Sequence, residues 1–166
     1  MRAFTILSVA TVAAAATGAF APGANAQETT QILSCQDIGP SAPEPLGDRE
    51  GHSILTATVS CRVDSGFMSG GVLTGTDIWE WNGPKAVLLS GSGVVRKPGG
   101  TLVYTETSAT LELTMADGKV TGWTASGRGT YPVATGSAAF LAGKSYTLTA
   151  KPTGPAGTSA VEAKVE

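Results

Sequence analysis

The aromatic and charged residues that could form a ligand site fall in segments where polar and apolar residues alternate. Trp79, Glu80 and Trp81 follow one another, and residues two apart share a face of a strand, so both indoles are expected on one face. They could line the mouth of a cavity, plug the end of a barrel or cover a core. With a few convergent polar groups, such a face could orient a small apolar or aromatic molecule. The candidate ligand-binding residues are Trp79, Glu80, Trp81, Arg96, Tyr104, Glu106, Trp123 and Arg128.

The single histidine, His52, lies in a polar segment that also contains Asp48 and Glu50. Imidazole titrates near neutrality, so an acid–base role oriented by one of these carboxylates is open. The alternative is a turn with local ion pairs, which the dense polar surroundings favour. One histidine among loop carboxylates is a poor zinc site. The sequence therefore predicts no metal and no cofactor, and it assigns no catalytic residue.

The two cysteines, Cys35 and Cys61, predict one disulfide. In an exported chain a pair of cysteines most simply forms a structural bridge. The bridge would enclose the Pro-rich segment 39–47 and contribute about 3 kcal/mol by loop-closure reasoning. A redox role has little support, because the cysteines are far apart in the sequence and no C-x-x-C motif is present.

The elements that must position these residues are short antiparallel strands. Residues 55–63 and 145–151 alternate between apolar and polar side chains, which is typical of half-buried strands. Asp117-Gly118 predicts a tight hairpin, and residues 36–50, rich in Pro and Gly, predict a surface loop. Strands are predicted at 53–63, 70–80, 86–96, 101–107, 109–116, 119–128, 144–151 and 158–165, with a short helical turn within 135–142. The fold class is therefore all-β, a single-domain antiparallel β-barrel of roughly eight strands, with a β-sandwich as the alternative.

The N-terminal residues have the form of a secretory signal. Arg2 precedes an apolar run from Phe4 to Ala16, and Ala24-Asn25-Ala26 has the small residues that signal peptidase recognises. This run is too short to span a membrane, and no later run approaches that length. We expect a signal peptide over 1–26, cut after Ala26, an N-terminal segment and loop over 27–51 and the barrel domain over 52–166. The mature protein would then be periplasmic or secreted.

The charge of the chain disfavours polyanionic partners. The sequence holds 11 Lys and Arg against 13 Asp and Glu, a formal net charge of −2, and the charges are scattered. Without a basic block, neither nucleic acid nor an anionic membrane surface is expected as a partner.

One segment resembles a known family. The stretch reads Gly127-Arg-Gly129-Thr-Tyr131-Pro-Val-Ala134-Thr-Gly136-Ser-Ala138 and is similar to a glycine motif of the dirigent proteins. These proteins share an eight-stranded antiparallel barrel with the allene oxide cyclases, and members are often trimers. The resemblance implies cyclisation or isomerisation inside a barrel, which requires an inward carboxylate beside an inward Arg or Tyr. Glu80, Glu106 and Glu112 are the candidate carboxylates.

Three functions follow as hypotheses. The first is non-catalytic binding of a small apolar or aromatic molecule inside the barrel, and the second is a stable scaffold in the cell envelope. These two rank level. The alternative is an enzyme of the cyclase or isomerase type that the resemblance implies, so the sequence leaves open whether the protein is catalytic. It also leaves open whether the protein forms a homo-oligomer.

Overall fold

Nine strands and one short 3-10 helix make up the regular structure in a computed structural model that describes residues 29–39 and 42–166. The predicted signal peptide lies outside these residues. The strands are β1 (Thr30–Asp37), β2 (Glu44–Pro45), β3 (His52–Ser65), β4 (Val72–Asn82), β5 (Lys85–Lys97), β6 (Gly100–Ala116), β7 (Lys119–Gly136), β8 (Ser145–Pro152) and β9 (Thr158–Val165), with the 3-10 helix at Ala139–Leu141. The described part of the chain contains no helix that is long and apolar enough to cross a membrane.

The sheet closes into an antiparallel barrel because β1 pairs with two neighbours. It is hydrogen-bonded to β9 on one side and to β3 on the other, while β3 to β9 follow one another around the sheet. Eight strands thus form the closed barrel, and the two-residue β2 adds to the edge of β3. The predicted all-β barrel is confirmed, and the sandwich alternative is wrong. Closure gives each of the eight barrel strands a partner on both sides.

Two predictions about the strands are corrected by this topology. The expected N-terminal segment and loop, 27–51, contributes β1 to the barrel. The predicted strands 101–107 and 109–116 are one strand, β6, whose pairing with β7 shifts register between Glu106 and Ser108. Such a bulge lets one strand bend without ending. The hairpin at Asp117-Gly118 and the short helical turn are confirmed, and both hairpin residues have positive φ, 50° and 73°.

The two ends of the barrel differ. At one end, hereafter the closed end, the segment 66–71 and the 3-10 helix place Met68 and Leu141 across the interior, and both are fully buried. At the other end, hereafter the mouth, Trp81 and Leu111 are only half-buried. The core therefore fills the closed end and leaves the mouth incompletely packed.

The disulfide joins the two strands that close the barrel. Cys35 of β1 and Cys61 of β3 are directly opposed in the register of this pair, and their Cα atoms are 3.9 Å apart. Both side chains are buried and face the interior. The predicted bridge is confirmed, and its position at the seam couples the N-terminal strand to the rest of the sheet. A structural bridge of this kind is typical of proteins that fold in an oxidising compartment.

We expect loss of the bridge to lower the free energy of unfolding by about 3 kcal/mol, because the unfolded chain regains the freedom of the loop between the cysteines. Urea denaturation of the native protein with and without reductant measures this effect without removing any buried atoms. The double variant Cys35→Ala, Cys61→Ala serves as a second measurement. A loss below about 1 kcal/mol in both would show that strand pairing alone holds the seam.

Candidate functional site

The barrel interior contains two adjoining chambers. The outer chamber, of about 280 Å³, lies toward the mouth and is lined by Trp79, Trp81 and Trp123. The inner chamber, of about 80 Å³, lies deeper and is lined by Tyr104, Tyr131 and Tyr146, among others. The two share the wall residues Cys35, Val59, Asp77, Glu106 and Leu148. The mouth thus leads past three indoles to a pair of carboxylates.

A larger concavity, of about 650 Å³, lies outside the barrel. It is lined mainly by Thr, Ser, Ala and charged residues of β6 to β9. Most of its lining side chains alternate with inward neighbours and are exposed. A ligand site requires enclosure and convergent polar groups, so the interior chambers are the candidate site.

A glycine brings the two carboxylates together. In the strand register Asp77 of β4 opposes Gly91 of β5, and Gly91 opposes Glu106 of β6, so the three residues form one row across the sheet. A β-carbon on Gly91 would lie 2.9 Å from Asp77 Oδ1 and 3.2 Å from Glu106 Oε2. Both oxygens therefore occupy the space above Gly91. A side chain at that position would force them apart.

The tyrosines of the inner chamber also depend on a glycine. A β-carbon on Gly129 would lie 2.5 Å from the hydroxyl oxygen of Tyr146. Tyr146 in turn stacks on Tyr131, with ring centroids 4.6 Å apart and planes inclined by 21°. Packing therefore explains one glycine of the motif that resembles the dirigent proteins, since the backbone of β7 must leave room for an aromatic ring.

Burial raises the pKa of both carboxyl groups toward or above neutrality. Desolvation raises the pKa of Asp77 to about 6. Desolvation, together with the nearby charge of Asp77, raises the pKa of Glu106 to about 8. The two groups titrate as a coupled pair. Near neutral pH the pair holds about one proton, so it can both donate and accept a hydrogen bond.

Three buried polar atoms that face the chambers lack hydrogen-bond partners. Among the described residues, Gln31 Oε1, Asp77 Oδ1 and Trp81 Nε1 have none. Gln31 is 2% exposed and, like Asp77 and Glu106, lines the inner chamber. Buried polar groups are almost always paired in folded proteins. Unpaired acceptors deep in a chamber and an unpaired donor at its mouth are what a polar ligand would satisfy.

The structure divides the predicted ligand-binding residues into two groups. Those that line the chambers are Trp79, Trp81, Tyr104, Glu106 and Trp123. Those on the outer face are Glu80, Arg96 and Arg128, each of which alternates with an inward neighbour. Glu112, a candidate carboxylate, is also outside, where Lys85 Nζ donates a hydrogen bond to its Oε1 over 2.7 Å. The prediction is thus corrected at these four positions.

Asp77 and Gln31 were missed by the sequence analysis. Asp77 precedes Trp79 by two residues, so the alternation that placed Trp79 and Trp81 on one face also places Asp77 there. Gln31 stands two residues before Leu33 and four before Cys35, but the strand that contains them was not predicted. The alternation therefore indicated that Asp77 faces the site, whereas the same conclusion for Gln31 depended on predicting β1.

The histidine cluster lies outside the barrel, near the mouth. His52 Nδ1 is 2.5 Å from Asp48 Oδ1, and His52 Nε2 is 2.8 Å from Glu80 Oε1. The hydrogen bond to Asp48, with that to Glu80, raises the pKa of His52 above its ordinary value. Arg49 Nη1 also lies 2.9 Å from Asp48 Oδ2. The arrangement matches the turn with local ion pairs that the sequence favoured, and it ties the 46–51 segment to β4.

Comparison of the chain with family models, with curated proteins and with solved structures found no match. Within the residues that the structure describes, no three His, Cys, Asp or Glu side chains are grouped so that they could hold a metal ion.

We expect Glu106→Gln to raise the free energy of unfolding at pH 8.5 by about 1–3 kcal/mol and to change it little at pH 4.5. The folded protein binds the Glu106 proton more tightly than the unfolded chain does. The pKa of Glu106 is therefore higher in the folded protein than in the unfolded chain. As pH rises from the lower value toward the higher one, the native carboxyl progressively lowers the free energy of unfolding. The neutral amide of the variant removes this loss. Urea denaturation at the two pH values provides the measurement.

The matched control is Glu112→Gln, because this exposed carboxylate forms a surface ion pair with Lys85 and, among the described residues, with no other side chain. Its effect should stay below about 0.5 kcal/mol at either pH. Destabilisation by Glu106→Gln at pH 8.5 would mean that the ionised Glu106 has a stabilising partner, contrary to this interpretation.

Proposed function

We propose that the protein is exported and binds a small apolar or aromatic molecule, carrying a polar group, inside its barrel. The observation that carries this proposal is the pair of chambers: three indoles surround the way in, and buried, unpartnered polar atoms lie beyond them. Apolar walls with a few oriented polar groups are typical of small-molecule sites. The seam disulfide supports an extracytoplasmic location.

The incomplete packing of the interior favours binding over a scaffold role. A scaffold barrel gains stability from a filled core, and small barrels are filled by side chains. Here the closed end is filled, whereas the mouth end leaves about 280 Å³ open between Trp79, Trp123 and Leu113. Burial of two carboxylates adds a further cost that a scaffold has no reason to retain.

We expect the neutral apolar dye N-phenyl-1-naphthylamine to bind and to receive energy from the tryptophans. The chain has three tryptophans and all of them line the outer chamber, so the transfer reports on that chamber. Ala57→Phe, which fills the chamber from β3, should weaken dye binding at least about tenfold, because the added ring occupies the site. Fluorescence titration of the native protein and the variant measures this.

Thr58→Phe is the matched control, since the neighbouring residue points to the outer face of the same strand. It should leave the dye affinity within about twofold of native. A second interior change, Trp81→Ala, tests the same wall if Ala57→Phe fails to fold. Equal dye binding by native protein, Ala57→Phe and Trp81→Ala would place the dye outside the barrel and overturn the proposal.

A second candidate function is proton-transfer catalysis of the cyclase or isomerase type. The carboxyl pair favours it, since groups that titrate near neutrality suit general acid and base roles. Glu106 meets the requirement for an inward carboxylate, and the inward Tyr104 stands two residues before it in β6. Burial also raises the pKa of Tyr104, so its hydroxyl stays protonated and can donate a hydrogen bond.

For this second candidate we expect exchange of the α-hydrogens of 2-indanone in D₂O to be accelerated by the native protein. The carboxylate would remove the proton next to the carbonyl, and solvent deuterium would replace it. NMR measures the rate. Glu106→Gln should reduce the acceleration at least about tenfold, whereas Glu112→Gln should retain it. No acceleration over buffer, or the same acceleration in Glu106→Gln, argues against catalysis by the pair.

A further inference from the structure

We propose that the ligand is an organic cation: a primary ammonium group on an apolar or aromatic body, with the ammonium at the Asp77–Glu106 pair and the body against the indoles. This inference rests on the proposed binding function and narrows it to a ligand class. The interior combines negative charge and unpaired acceptors, which favour a cation, with aromatic walls, which favour its apolar body.

The charge of the walls has one sign. Asp37, Asp77 and Glu106 line the chambers, and within the described chain neither chamber is lined by Lys, Arg or His. No ion pair with a described residue reaches Asp77 or Glu106. A buried charge with no opposite charge beside it destabilises a folded protein. For the same reason, removing one partner of a buried ion pair is strongly destabilising. A ligand that brings a positive charge would supply that partner.

The unpaired acceptors indicate where the charge would lie. Within the described residues, Gln31 Oε1 is buried without a hydrogen-bond partner in the inner chamber, and so is Asp77 Oδ1. Gln31 belongs to β1 and the carboxylates to β4 and β6, so acceptors converge from different sides of the barrel. A primary ammonium has three N–H donors and no acceptor. Its donors therefore match the acceptors that Gln31, Asp77 and Glu106 contribute to the lining of this chamber.

The aromatic walls suit the same ligand. Indole side chains pack well against apolar and aromatic surface. Trp79, Trp81 and Trp123 line the outer chamber, together with Leu55 and Leu113. A ligand whose ammonium reaches the carboxylates would leave its apolar part among these side chains. The order of the chambers thus fixes the orientation: charge inside, apolar body toward the mouth.

The titration of the pair makes the affinity for a cation depend on pH. Among the described residues, the other ionisable groups that line the two chambers are Asp37, Tyr104, Tyr131 and Tyr146. Burial raises the pKa of each tyrosine, so these hydroxyls remain neutral. An alkyl ammonium titrates near pH 10, as lysine does, and stays charged well below that pH. Cation affinity should therefore follow ionisation of the carboxyl groups and rise with pH.

The test compares three probes of similar size but different charge: 2-phenylethylammonium, 2-phenylethanol and 3-phenylpropionate. Titration calorimetry and tryptophan fluorescence give the affinities from pH 4.5 to 7. We expect the ammonium to bind at least about tenfold more tightly than the alcohol at pH 7, and the anion to bind most weakly. From pH 4.5 to 7 the ammonium affinity should rise about 30-fold, the growth in the ionised fraction of a carboxyl with a pKa of about 6. The alcohol affinity should stay constant.

The variants separate the charge from the shape of the site. Asp77→Asn keeps the shape and should lower ammonium affinity at least about tenfold while changing alcohol affinity less than about threefold. Gln31→Leu should weaken the ammonium less, because it removes a neutral acceptor. Glu112→Gln, outside the barrel, should change neither affinity.

The outcomes distinguish the two proposals. If the alcohol binds as tightly as the ammonium, or if Asp77→Asn does not discriminate between them, the cation inference is overturned while binding in the barrel stands. If N-phenyl-1-naphthylamine and all three probes fail to bind, the proposed function falls and the cation inference falls with it.

Discussion

Closure of the sheet at the β1–β3 seam is the constraint on which the rest of the structure depends. A curved antiparallel sheet leaves unpaired backbone donors and acceptors at both edges unless its first and last strands meet. Here β1 pairs with β9 and with β3, and the disulfide ties it to β3 at the opposed pair Cys35 and Cys61. The enclosed interior, with its two chambers, exists only because this seam is closed.

Closure also buries two carboxyl groups, and their burial destabilises the folded protein. Asp77 and Glu106 lie on strands separated by β5, and the absence of a side chain at Gly91 allows both to extend into the same space. Their burial raises the pKa of each group and destabilises the folded protein at alkaline pH. Buried charged groups in proteins are normally paired, but no described cation lies beside these two carboxyl groups. Such departures are expected at functional sites.

The fold class was predictable because its signals are local. Alternation of polar and apolar residues marked the long strands, and Asp117-Gly118 marked a hairpin. The predicted total of eight barrel strands nevertheless combined two compensating errors, since β6 was divided at its bulge and β1 was omitted. A bulge interrupts the alternation without ending the strand. β1 is a short strand separated from its partner β3 by a long loop, so little in its own sequence indicated where it pairs.

The candidate site was predictable in part, because strand alternation is a local signal. Alternation correctly associated Trp79 with Trp81, and the same rule extends to Asp77. It could not show which face of β5 or β7 turns inward, so Arg96 and Arg128 were included although they lie outside. The direction of a face depends on the register around the whole barrel, and bulges reset that register within β6.

The sequence by itself determined that this protein is an all-β chain with one disulfide and with aromatic residues in its strands, since period-two alternation, turn residues and a single cysteine pair are local properties. Tertiary structure alone decided that Gln31, Asp77 and Glu106 share one interior, because they come from three strands and meet only when the sheet has curved and closed. The same closure withdraws the carboxylates from water, and that desolvation gives the site its electrostatic character.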